Sequence, residues 1–117
     1  MADLWGIPGQ ILRDAERLSG IVCGALQAAG MKILGAPLVH RFQEGGQGVT
    51  GAVLLRQSHA TFHTYPESGC LMLDVYACGE ADPDAVLHAI VAGLEPAAVD
   101  RVLLHRGSLR APDGISR

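Results

Sequence analysis

The 117-residue sequence has no apolar run near the roughly 20 residues that a membrane-spanning helix requires, so no membrane partner is expected. Basic clusters are also missing. Nine Lys and Arg stand against twelve Asp and Glu, a net charge of −3, which leaves no electrostatic footprint for nucleic acid. The opening M-A-D-L-W-G-I-P-G-Q has no basic stretch followed by an apolar one; a secretory leader is not expected, and the expected location is the cytoplasm. Cysteine is scarce and odd in number: Cys23, Cys70 and Cys78 suit neither a disulfide framework nor the close paired spacing of a structural zinc site. Cys23, set among helical apolar residues, reads as a small core side chain. No internal repeat and no linker is visible. With 49% apolar residues, the chain reads as a single domain, 1–117, able to bury a core.

Periodicity then orders the chain. Residues 3–6 read as the end of a short strand closing on Gly6, and Pro8 suits a helix start because its missing N–H has no intrahelical role there. Ile11, Ala15, Leu18, Val22, Ala25 and Ala29 recur every three or four positions, which predicts one amphipathic helix from 11 to 29 ending at Gly30. Residues 31–42 read as a strand bent around Gly35-Ala36-Pro37, since proline cannot donate to a ladder. The glycine-rich 43–48 reads as a mobile turn; it lacks the lysine and the following helix of a phosphate-binding loop. Strands follow at 49–55, 58–64 and 71–77. Asp82-Pro83 caps a second helix, which breaks at 93–96, and 99–104 is a last strand. The polar tail from Ser108 is expected to fray. This order, (β)αββββαβ, predicts an α+β two-layer sandwich: a mainly antiparallel sheet with two helices on one face. The other face would be left open, and so much apolar sequence predicts a second copy of the chain as its cover.

Most of the functional information lies in 56–79, R-Q-S-H-A-T-F-H-T-Y-P-E-S-G-C-L-M-L-D-V-Y-A-C-G. Ser58, His63, Glu67 and Cys78 fall in or beside two strands joined by a Pro-Glu-Ser-Gly turn. Four readings stay open on these residues alone. One is a serine nucleophile with a histidine base, although no G-x-S-x-G elbow is present. A second is a Cys-His thiol enzyme, although a cysteine at a strand end is not activated by that position alone. A third is a metal held by His59 and His63, which share a strand face but are only two ligands. The fourth is a strand with polar edges and no chemistry.

The same residues resemble the prokaryotic S-adenosylmethionine decarboxylase proenzymes, a pyruvoyl-dependent family of polyamine synthesis. The family pattern is Glu-Ser-His, then His-Thr-Trp-Pro-Glu, then Asp and a Thr-Cys-Gly; here it stands as Q-S-H, H-T-Y-P-E, D and A-C-G, ungapped from serine to cysteine. D-L-W-G, A-A-G, H-R-F, G-V-T-G and the helix-opening D-P extend the likeness over nearly the whole chain. The resemblance implies that Ser58 attacks the carbonyl of Gln57, forming an ester whose β-elimination breaks the chain. A β chain, 1–57, and an α chain, 58–117, would result, with a pyruvoyl group derived from Ser58. Such a ketone condenses with a substrate amine and accepts the electrons left by departing CO₂.

By the same resemblance His63 is the base of processing, assisted by Thr50, and Cys78 is the proton donor in turnover. Phe42 stacks on adenine, and Glu67 holds the ribose hydroxyls. The implied assembly is a homodimer whose active site draws on both subunits. His59 is left structural or at the rim, and His40, His88 and His105 are read as surface residues. No metal is expected. The sequence departs from the family pattern at Gln57 (usually glutamate), Thr50 (usually serine) and Tyr65 (usually tryptophan), in a longer 43–49 loop bearing Glu44, and in a short lead before D-L-W-G. Ornithine or arginine is the alternative substrate of such a decarboxylase; a regulatory homologue that never cleaves is the alternative of another class.

Overall fold

A computed structural model describes residues 1–107; the tail from Ser108 lies outside the described residues. Among the described residues six strands form one antiparallel sheet. They are β1 (Ala2–Trp5), β2 (Leu38–Arg41), β3 (Val49–Leu55), β4 (Ser58–Tyr65), β5 (Cys70–Tyr76) and β6 (Ala98–Arg101). Their spatial order is β2-β3-β4-β5-β1-β6. Three consecutive strands, β3 to β5, make the meander at its centre, and β1 pairs with β5 on one side and β6 on the other. The helices α1 (Gly9–Leu12), α2 (Ala15–Ala28) and α3 (Pro83–Leu94) complete the architecture.

Alternation along the strands separates two faces. Val49, Val53 and Leu55 of β3 meet Ala60 and Phe62 of β4 and Leu71 and Leu73 of β5 in the core, closed by Leu18, Val22 and Leu26 of α2 and Val86 and Ile90 of α3. Gly51 admits the Phe62 ring, which would overlap any Cβ there. Among the described residues, none forms a layer on the opposite face. Leu54, Phe42, Tyr65, Met72, Tyr76 and Trp5 are exposed, and Leu54 keeps 65% of its surface in solvent. This is the α+β two-layer sandwich expected from the sequence, with its two main helices on one side.

Some elements differ from the sequence reading. The first helix is two. Asp14 stops the run: its Oδ1 accepts from Arg17 N at 3.1 Å and caps α2, so a short polar side chain competes successfully with helix continuation. Strand β2 keeps only the end of the expected 31–42 segment. Pro37 follows a bend at Gly35, whose φ is 69°, and the preceding residues clasp the β3–β4 hairpin through an Ile33–Leu55 bridge and an Arg56 N–Lys32 O bond of 3.1 Å. Strand β6 ends at Arg101 rather than 104.

Candidate active site

The β3–β4 hairpin places the sequence-predicted residues at its two ends. Leu55 pairs with Ser58, so the turn has only two residues, Arg56 and Gln57. That register puts Thr50 opposite His63, both on the open face, and Thr50 Oγ1 lies 2.9 Å from His63 Nδ1. If Nδ1–H donates to Oγ1, Nε2 is left as a base; with the other tautomer the hydroxyl donates and Nε2 carries the proton.

Around this pair the sheet gathers two further predicted residues. Phe42 follows β2, is 43% exposed, and meets the His40 ring edge-on at a centroid distance of 4.7 Å. His40 itself pairs with Thr50 from the other side. Glu67 sits in a single 3₁₀ turn, Pro66–Ser68, after β4. Its carboxylate lies against Gly46 so closely that a Cβ built there would stand 2.7 Å from Glu67 Cδ.

Ser58 is not with them. Five residues separate it from His63, about 16 Å along an extended strand, and an odd separation turns the two side chains to opposite faces. Its Oγ donates to Arg56 O at 3.3 Å. The residue before it, Gln57, has φ 60°, a left-handed backbone that side chains other than glycine occupy at a cost of about 1–2 kcal/mol. Cys78 lies at this same end, two residues beyond the His59–Tyr76 rung. A cavity of about 850 Å³ opens near this end, lined by His59, Tyr76, Glu80 and Arg106 among others; none of Thr50, His63, Gln57, Ser58 and Cys78 lines it. The sequence-predicted residues therefore fall into two groups: Thr50, His63, Phe42 and Glu67 at one end of the hairpin, and Gln57, Ser58 and Cys78 at the other.

A family model described as S-adenosylmethionine decarboxylase matches residues 1–107. The chain belongs to the S-adenosylmethionine decarboxylase family. It is 40% identical to the S-adenosylmethionine decarboxylase proenzyme of Brevibacillus brevis over 106 residues, covering 90% of this chain and 77% of that one. With the proenzyme of Picrophilus torridus it shares 33% identity over 109 residues, 92% and 82% of the two chains. The crystal structure of the adenosylmethionine decarboxylase from Aquifex aeolicus superposes with a TM-score of 0.73 at 30% identity, covering 90% of this chain and 89% of the other. Family and fold make the chain a carboxy-lyase of polyamine biosynthesis.

Three residues around the site carry weight that the sequence reading did not assign. Buried Thr64 accepts from Val49 N at 2.8 Å and donates to Leu12 O at 2.7 Å, tying β3, β4 and the end of α1 together beside His63. Arg13 Nε donates to Gly46 O at 3.0 Å. Cys70 is buried between Tyr65 and Trp5 in the register, and burial, followed by the Asp3 charge, pushes its thiol pKa up; that disfavours the thiolate needed for reactivity. Among the described residues no cluster of three or more His, Cys, Asp or Glu suits a metal, and no helix is long and apolar enough to cross a membrane.

Proposed function

We propose that this protein is a self-processing S-adenosylmethionine decarboxylase, cut between Gln57 and Ser58, that works in the cytoplasm as a homodimer. The observation that carries the processing reading is the backbone at the cut. A two-residue turn holds Gln57 at φ 60° directly before Ser58, so release of this peptide bond relieves local strain. Ser58 Oγ–H adds to the Gln57 carbonyl carbon; the Gln57–Ser58 C–N bond breaks and the nitrogen takes a proton, leaving an ester. A base then removes the Ser58 α-proton, and the Cβ–O bond breaks with Gln57 leaving as a carboxylate. Water enters and ammonia leaves the new terminus, with no net oxidation.

The pyruvoyl group that results fits the residues present: a serine follows a strained carbonyl at an accessible tip, with a thiol side chain at the same end of the sheet. When formed, it supplies a ketone that accepts electrons during loss of CO₂. His63 serves as the base for the elimination, oriented through Nδ1 by Thr50, and Cys78 delivers the proton in turnover. Phe42 offers an exposed ring face to adenine, and the two Glu67 oxygens accept from the ribose hydroxyls.

The separation along β4 supports the dimer. His63 of one chain cannot serve its own Ser58, whereas a second copy laid antiparallel on the open face brings each His63 to the other's Arg56-Gln57 turn, where the Ser58 Cα–H, not its inward-turned hydroxyl, is what the base must reach. The apolar side chains on that face gain a cover at the same time. Carboxyl-labelled S-adenosylmethionine, ornithine and arginine, offered in parallel to freshly purified and aged protein, test the reading. Labelled CO₂ is expected from S-adenosylmethionine only, rising with the amount of cleaved chain. Release from ornithine or arginine instead would reassign the substrate, and an intact 12.3 kDa chain without CO₂ release would sink the enzyme reading.

A further inference from the structure

The 43–48 loop is held at more points than a glycine-rich turn needs. Phe42 N donates to Gly48 O at 2.9 Å and Gln47 N to Glu44 O at 3.2 Å, which closes the loop on itself. Arg13, at the C-terminal cap of α1, reaches across and donates from Nε to Gly46 O at 3.0 Å in a part-buried contact. Its path is kept clear by Gly9: a Cβ there would come within 3.1 Å of Arg13 Nη1 and 3.3 Å of Pro66 O. Pro66 begins the turn that carries Glu67. The Glu67 carboxylate in turn occupies the space that a Gly46 side chain would fill. Arg13 therefore stands behind a loop that bears Phe42 at its start and supports Glu67 at its middle.

We propose that Arg13 and Gly46 form a positioning latch that fixes the spacing between Phe42 and Glu67 and so selects a ligand carrying an aromatic base next to a diol. Neither residue touches the reacting atoms. Arg13 fixes the height of the loop through the Gly46 carbonyl, and bare Gly46 lets the carboxylate settle there. The inference rests on the reading of Phe42 and Glu67 as substrate-binding residues. A mobile loop would leave Glu67 to many rotamers, each binding the diol more weakly because its acceptors must first be ordered.

The test compares Gly46→Ala, Arg13→Met, Arg13→Lys and Glu67→Gln with the unaltered protein. It measures cleavage on a denaturing gel, then kcat and KM for S-adenosylmethionine and for its 2′,3′-dideoxy analogue. Gly46→Ala and Arg13→Met are expected to raise KM for S-adenosylmethionine about tenfold, the scale of one charge-assisted hydrogen bond, with cleavage and kcat retained. KM for the dideoxy analogue should not move, and Arg13→Lys should recover most of the loss. An unmoved KM in Gly46→Ala, while Glu67→Gln raises it, overturns the latch and leaves Glu67's role intact. If Glu67→Gln has no effect, the binding reading fails and the latch falls with it. Equal losses on both substrates would mark Arg13 and Gly46 as purely structural and also overturn the proposal. Should Arg13→Met not fold, Gly46→Ala decides alone, because the atoms nearest its added methyl all belong to the Glu67 carboxylate and not to the core.

Discussion

The two ends of the β3–β4 hairpin are built differently. At the His63 end, side chains are locked by direct bonds: Thr50 to His63 at 2.9 Å, Thr64 to Val49 and Leu12 at 2.8 and 2.7 Å, and Arg13 to Gly46 at 3.0 Å. At the Ser58 end, Oγ makes one longer bond of 3.3 Å and the preceding residue sits in a left-handed conformation. In the proposed reaction the first end orients a base and a ligand, and the second offers a strained bond beside a hydroxyl that reacts once. The contrast in structure is the one that this proposal requires between a half-site that acts and a half-site that is changed.

The strongest way to break this comparison is to separate its halves genetically. Ser58→Ala should remain a single chain with no detectable cleavage or CO₂ release. His63→Ala should cleave slower by a factor of about 10²–10⁴, the range for loss of a general base. Co-expressing the two variants is the sharper measurement. In mixed dimers the intact Ser58 comes from the His63→Ala chain and the intact His63 from its partner. Mass spectrometry should then find the fragments derived from the His63→Ala chain. Their absence from dimers shown to be mixed would mean that the half-sites do not meet across the open face.

Cys78→Ala tests the second task of the Ser58 end. Cleavage should proceed as in the unaltered protein, while turnover falls about 10²–10³-fold for want of a proton donor. Stopped cleavage would place Cys78 in maturation, and undiminished turnover would remove it from the site. A smaller effect is expected from Thr50. Thr50→Val keeps the shape but loses the oxygen against Nδ1 and should slow cleavage about tenfold, whereas Thr50→Ser should retain the rate. Equal rates for both would show that the hydroxyl orients nothing.

How much of this was legible follows from the kind of contact involved. Once the turn is placed at Arg56-Gln57, antiparallel register alone brings Thr50 opposite His63. The same arithmetic, with strand alternation, separates Ser58 from His63, so the strand boundaries already held that separation. Asp14 offered a capping side chain inside an apolar period, and the period was the louder signal. The Arg13–Gly46 contact spans 33 residues, and no local pattern announces it; three glycines in six residues read as mobility rather than as room for a carboxylate. Gln57 gave no sign of its left-handed φ, because turn chemistry usually assigns that conformation to Gly or Asn.

The smallest expected effect probes an ion pair outside the hairpin. Arg101 of β6 grips Asp84 in the first turn of α3, with Nε 2.9 Å from Oδ1 and a second short bond from Nη2 to Oδ2. This pair braces the helix that follows the 79–82 segment. The hydrogen bond from Arg101, ahead of its charge and that of His88, holds the Asp84 carboxyl below its ordinary value of 3.8. A carboxyl depressed on folding adds stability in full above its unfolded pKa, and that stability is lost as pH falls through the lower folded value. Asp84→Asn should therefore lower the melting temperature slightly near pH 7. The gap should close as pH drops below 3.8, and 1 M salt should shrink it because both groups face solvent. A gap that persists in acid would assign the loss to packing at the helix start, and α3 would then be held to β6 by shape rather than by charge.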